Sequence, residues 1–149
     1  MRTQYNMYCI KATKEHMNDV NQLLIKYSLP CIQEDHINND DLAIVAFDKN
    51  QLIGFIWCGL MCNKTVGYID YFVVDSDYSR KGVGNRLARQ LLKVANKKNV
   101  SRVKGIIRRS DYHEPSAMNA LKMAMNSDHS AYTYVYADVK NSFEEIGDK

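Results

Sequence analysis

The residues best placed to do chemistry are Arg80-Lys81-Gly82-Val83-Gly84-Asn85, which sit where an apolar run ending at Val74 gives way to an amphipathic run beginning at Val83. Gly82 and Gly84 carry no side chain, so the backbone there can turn sharply and aim its N–H groups at an anion. A helix starting at Val83 adds first-turn amides without intrahelical partners and the positive end of its dipole. Arg80 and Lys81 bring full positive charge to the same place. The combination is a candidate diphosphate cradle. Upstream, the apolar, aromatic run Tyr68–Val74 carries an acid at Asp70. The spacing excludes two common phosphate loops. No Gly-Lys-Ser/Thr closes the turn, and Leu87 stands where a dinucleotide-binding fingerprint needs its third glycine.

Those residues need a scaffold, and hydrophobic periodicity supplies one. A strand is expected over Tyr8–Ala12, then a helix capped by Thr13, with Glu15 and His16 in its first turn and Met17, Val20, Leu23, Leu24 and Tyr27 forming a stripe. Pro30 ends that helix, and the polar stretch Asp35–Asp41 reads as a loop or short second helix. Leu42–Phe47 and Gln51–Leu60 are β-rich and separated by Asp48-Lys49-Asn50, a hairpin turn; Asn63-Lys64 makes a second turn before a strand over Val66–Val74. Three consecutive antiparallel strands follow from this. The helix Val83–Lys97 places Val83, Leu87, Leu91 and Val94 or Ala95 on one face, and Arg86, Arg89, Lys93 and Lys97 on the other. A strand at Val103–Ile107 should pair in parallel with Val66–Val74 by a right-handed crossover. A helix from Glu114 to about Asn126, with Pro115 in its first turn, and a last strand over Tyr132–Lys140 complete the order.

With 149 residues the chain suits a single domain with a core over about residues 8–140 and a charged tail at 141–149. Its hydrophobic fraction of 46% and charged fraction of 25% are those of an ordinary soluble globular protein. The net charge of +3, from 20 basic and 17 acidic residues, suits an anionic ligand but is too mild to indicate nucleic acid. The basic face of the Val83–Lys97 helix reads as a solvated face for the same reason. No apolar run approaches the length of a membrane span, and the N-terminal segment lacks the apolar core of a secretory signal, so a cytoplasmic location is expected. Cys9, Cys31, Cys58 and Cys62 read as structural thiols, with no metal site expected.

The glycine turn and its surroundings resemble the Gcn5-related N-acetyltransferase (GNAT) superfamily. The family motif Gln/Arg-x-x-Gly-x-Gly/Ala falls on Ser79, Arg80, Lys81, Gly82, Val83 and Gly84, with five of six positions matching and Ser79 standing where the family has Gln or Arg. The element order matches the family over roughly residues 8–140. The resemblance implies an α/β (α+β) fold with a mixed, mostly antiparallel central sheet of about six strands and helices on both faces. It implies acetyl-CoA as cofactor, its diphosphate on the backbone of Lys81, Gly82, Val83, Gly84 and Asn85 beside the charge of Arg80, and its pantetheine arm along Phe72, Val73 and Val74. Asp70 aligns with the acidic position that many members use as a base, directly or through water. The amide of Val74 or Phe72 is the implied oxyanion donor.

The general acid departs from the family pattern. The Asn, Ala and Tyr that members carry on the helix after the fifth strand fall here on Ala117, Ala120 and Ala124, and shifting the frame to Asn119 gives Lys122 and Asn126. Transfer need not depend on such an acid, because a thiolate of pKa about 8.5 is a tolerable leaving group at neutral pH; alternatively Tyr132, Tyr134 or Tyr112 reaches the departing sulfur from another element, with Tyr132 the first choice. His113 and Glu114 border the acceptor side in a charged connection. A single strand after the last helix, where members have a hairpin, would leave the acceptor wall either cut short or completed by a second subunit in a homodimer. The activity implied is transfer of an acetyl group from acetyl-CoA to a primary amine of a small molecule or protein. The alternative is a weak or inactive domain of this fold that binds acyl-CoA or another protein.

Overall fold

A computed structural model describes residues 6–33, 41–61, 63–78, 81–108, 125–126 and 132–138. The order is β1 (Met7–Lys11), α1 (Met17–Lys26), β2 (Leu42–Asp48), β3 (Gln51–Met61), β4 (Val66–Val74), α2 (Val83–Lys97), β5 (Arg102–Arg108), β6 (Met125–Asn126) and β7 (Tyr132–Asp138). Thr13 begins a 3₁₀ turn over Lys14–His16, and its N–H donates to His16 Nδ1 at 3.0 Å before α1 starts. The seven strands form one sheet in the order β1-β2-β3-β4-β5-β7-β6, all antiparallel except the β4–β5 pair. The mixed sheet and its fold class are as expected, with one strand more than the six read from the sequence.

The extra strand corrects one expectation. Met125 and Asn126, assigned to the end of a helix, instead pair with Val135 and Tyr134 of β7. A short run with methionines every second residue fits either period, and the pairing partner decides it. The expected helix over residues 114–124 and the polar stretch at 35–40 lie outside the described residues.

Local chemistry explains the β2–β4 meander. Lys49 at φ 54° turns β2 into β3, while Asn63 and Lys64 at φ 55° and 64° precede β4. Side-chain alternation divides the core between the two faces of the sheet. Leu42, Ile44 and Ala46 of β2 meet α2 through Val83, Leu87, Leu91 and Ala95. Ala43, Val45 and Phe47 meet α1 through Met17, Val20 and Leu24. α2 packs close because Gly54 of β3 lies beneath it, where a Cβ would stand 2.9 Å from Leu87 Cδ1 and 3.1 Å from Val83 Cγ1. This approach fixes the start of α2 against the middle of the sheet.

A split strand pair leading to a glycine helix cap: the candidate active site

β4 pairs in parallel with β5 only at Val66, Gly67 and Tyr68, opposite Arg102, Val103 and Lys104. Beyond Lys104, β5 continues against β7 up to Arg108, which faces Tyr132. Beyond Tyr68, β4 keeps its antiparallel register with β3 as far as Val74 opposite Gly54. The two parallel strands therefore separate toward their C-terminal ends.

The register shows which groups face the gap. The Asp75 N–H donates to Ile53 O at 2.8 Å, continuing the β3 ladder. In an antiparallel ladder a residue turns both main-chain groups to the same side and its neighbours turn theirs to the other. Val73 and Tyr71 thus bond β3, whereas Phe72 and Val74 direct their N–H and C=O toward the side that β5 has left. Val73 also buries its side chain in the α1-side core. Of the three strand residues expected to bind the cofactor, Phe72 and Val74 offer main-chain groups and Val73 spaces them.

Asp70 sits at a β-bulge. Trp57 pairs with Tyr71 and Cys58 with Ile69, so Asp70 is the extra residue. The bulge brings its carboxylate over Gly59, where a Cβ would lie 3.3 Å from Asp70 Oδ2. The residue is exposed, yet desolvation by the surrounding strands, aided by the charge of Asp41, raises its pKa above the ordinary aspartate value, while a hydrogen bond from the Gly59 N–H opposes the shift. Beside it Trp57 and Tyr71 stack with ring centroids 5.9 Å apart. The Trp57 Nε1–H donates to the buried Asp41 at 3.2 Å, and the Tyr71 hydroxyl donates to Pro30 O at 3.0 Å. Burial, then the charge of Asp70, raises the Tyr71 pKa, so its hydroxyl stays protonated at neutral pH. An acid and aromatic wall thus lines β4 on the α1 side. Trp57, Tyr71 and Asp41 were not singled out from the sequence, since only the strand register joins them to Asp70.

The chain then turns into α2. After a 3₁₀ turn at Ser76–Tyr78, the Lys81 N–H donates to Tyr78 O at 3.3 Å. Gly82 is the N-cap of α2 at φ 83°, a left-handed conformation that favours glycine, and a Cβ there would meet nothing among the described residues within 4 Å. The glycine is therefore required by the backbone and open to whatever lies above it. Gly82 O accepts from the Arg86 N–H at 3.0 Å, so the amides of Val83, Gly84 and Asn85 precede the first intrahelical donor. Val83 and Gly84 are buried against the sheet, with Asn85 partly exposed. Ser79 and Arg80 lie outside the described residues. Arg86 does not join this cradle: its guanidinium donates to Met7 O at 2.8 Å.

Tyr132 begins β7 opposite the last residue of β5, on the far side of that strand from β4. Tyr134 pairs with Ile106, and Tyr112, His113 and Glu114 lie outside the described residues. Cys58 is buried, and its pKa is raised first by desolvation and then by the charges of Asp70 and Asp41, which fits a packing role. Among the described residues no helix is long and apolar enough to cross a membrane.

Comparisons with known proteins bear on the fold as a whole. The model of the Acetyltransferase (GNAT) family matches residues 8–124. The chain belongs to that family. A search of curated proteins by sequence finds no match. Among solved structures, the chain resembles the ribosomal-protein-S18-alanine N-acetyltransferase from Escherichia coli at 12% identity and a TM-score of 0.68, over 87% of this chain and 90% of that one. It resembles the PaiA N-acetyltransferase from Thermoplasma acidophilum, solved in complex with coenzyme A, at 15% identity and a TM-score of 0.66, over 89% and 99%. The diaminobutyrate acetyltransferase EctA from Paenibacillus lautus, in complex with L-2,4-diaminobutyric acid and coenzyme A, is 14% identical with a TM-score of 0.68, over 91% and 97%. At these identities the likeness is one of fold.

Proposed function

We propose that this protein is an N-acetyltransferase that moves the acetyl group of acetyl-CoA to a primary amine. The observation that carries the reading is the open edge of β4 together with the glycine cap that starts α2. Phe72 and Val74 present main-chain groups that an amide-bearing pantetheine arm satisfies as an added strand would. Lys81, Gly82, Val83, Gly84 and Asn85 supply a basic side chain, a glycine turn open to an approaching group, and helix N-terminal amides for a diphosphate. Arg80 completes this set by its position in the motif. Acetyl-CoA, when bound, would supply an activated thioester whose CoA thiolate is a tolerable leaving group near neutral pH.

Asp70 is the base. A primary amine is mostly an ammonium at neutral pH, and it must lose a proton before it can attack. A carboxylate whose pKa is raised by burial and by Asp41 accepts that proton more readily than an ordinary aspartate. The same acids, with the Trp57 and Tyr71 rings, attract a cationic acceptor before deprotonation. The Val74 or Phe72 amide faces the gap as a donor for charge developing on the carbonyl oxygen. Tyr132 is proposed as the acid that protonates the sulfur.

The test is release of CoA thiol by purified protein given acetyl-CoA and a panel of amines. Thiol release that depends on an amine supports the reading. Uptake of acetyl-CoA without transfer to any amine would instead favour a cofactor-binding module, a reading to which the absent Asn and Tyr of the family helix point.

A further inference from the structure

We infer that Lys26 and Asp75 are positioning residues that hold the diphosphate loop in its binding shape, an inference that rests on the function proposed above. The chain must leave β4, turn, and enter α2 at one angle for the cap amides to converge. Asp75 is the residue at which it leaves. Its side chain is 7% exposed, and Oδ1 accepts from Lys26 Nζ at 3.0 Å and from the Asp77 N–H at 3.0 Å. The bond to Asp77 shapes the 3₁₀ turn, which the Tyr78 N–H closes onto Asp75 O at 2.8 Å. Lys26, in the last turn of α1, also lies 3.7 Å from the exposed carboxylate of Asp77.

Two further tethers bear on the same turn. Tyr27, just past α1, accepts the Ser76 N–H on its hydroxyl. On the other face of the sheet the Tyr78 hydroxyl donates to Asp48 Oδ2 at 2.8 Å, and Asp48 Oδ1 is buried with no partner among the described residues. Each residue of the turn from Asp75 to Tyr78 is thereby bonded to another part of the fold or to the turn itself, immediately before the glycine motif. The buried carboxylate gives Lys26 its importance: without the ammonium, Asp75 is a charge out of water with one donor, and the turn opens to hydrate it. The segment after α1 also carries Pro30, whose carbonyl anchors Tyr71 on the acceptor wall. One short stretch of chain therefore braces both halves of the site.

The effect expected is a drop in the fraction of molecules whose loop is ready to bind, which raises the apparent Kd in proportion, roughly fivefold for a loop ordered one-fifth of the time. Titration calorimetry with CoA on wild type, Lys26→Met, Lys26→Arg and Asp75→Ala measures it, with Val20→Ala in α1 as a control for lost stability alone. The inference requires weaker CoA binding in Lys26→Met and Asp75→Ala, recovery in Lys26→Arg, and no change in Val20→Ala once corrected for folded fraction. Asp75→Ala separates positioning from bulk charge, because removing a negative charge near an anion site would by itself tighten binding. Tighter or unchanged binding in Asp75→Ala, or a change in Val20→Ala equal to that in Lys26→Met, overturns the inference while the functional reading stands. A wild-type protein that takes up no CoA overturns both.

Discussion

β4 treats its two neighbours differently. Toward β3 it keeps an antiparallel register along its whole length, disturbed only by the bulge at Asp70, and buries side chains on both faces. Toward β5 it pairs for three residues and then departs, leaving Phe72 and Val74 with main-chain groups turned to a gap. The closed side is the ordinary solution to a strand's hydrogen-bonding requirement, and the open side defers that requirement to a ligand. A single strand thus serves as both structural centre and binding edge. Substitutions on the two sides should separate stability from binding.

The largest effect should come from Asp70, whose bulge lies in the β3 pairing but whose proposed role is in the reaction. Asp70→Asn should lower turnover about a hundredfold, the usual scale for a positioned base, with CoA affinity unchanged. In wild type the acid limb of the kcat/KM profile should fall above the ordinary aspartate value of about 3.9, and the limb should vanish in the variant. Stability responds to pH in the opposite direction. A folded-state pKa above the unfolded one means that Asp70 favours folding at acid pH, and that contribution is lost as pH rises through the folded-state value. Equal turnover in Asp70→Asn would remove it as the base.

On the open side, Gly82→Val forces a β-branched residue into a left-handed conformation and places methyl groups where nothing in the described protein stands. It should weaken CoA binding by about 2 kcal/mol, part strain and part occlusion, measured by calorimetry. On the closed side, Gly54→Ala meets the end of Leu87, a flexible side chain, and should cost about 1 kcal/mol in thermal or denaturant unfolding while leaving CoA affinity per folded molecule intact. If Gly54→Ala were to weaken binding more than Gly82→Val, the division between the two sides would be wrong. Smallest of all, Arg89→Gln on the exposed face of α2 should change stability by no more than about 0.5 kcal/mol and leave affinity for CoA unaltered.

What could be read in advance follows how far apart the interacting residues are in sequence. The stripe Val83, Leu87, Leu91, Ala95 announces α2 because helix periodicity is local, and the turns at Lys49-Asn50 and Asn63-Lys64 announce the meander for the same reason. The glycine cap was legible because Gly82 and Gly84 sit next to the helix they start. The bulge was not, since one extra residue on β4 shows only against the β3 register. Neither were the bonds of Tyr71 to Pro30 and Lys26 to Asp75, which span 41 and 49 residues. β6 escaped detection because two residues carry no period, and its strand state is conferred by β7.

If alternate amides of β4 await a ligand, residue-resolved amide hydrogen exchange with and without CoA will show it. The Val73 N–H should exchange slowly in both conditions, while those of Phe72 and Val74 should exchange fast in the free protein and slow markedly when CoA is added. Phe72 and Val74 amides as protected as Val73 before CoA is added, or unaltered after it, would rule out an open edge on β4.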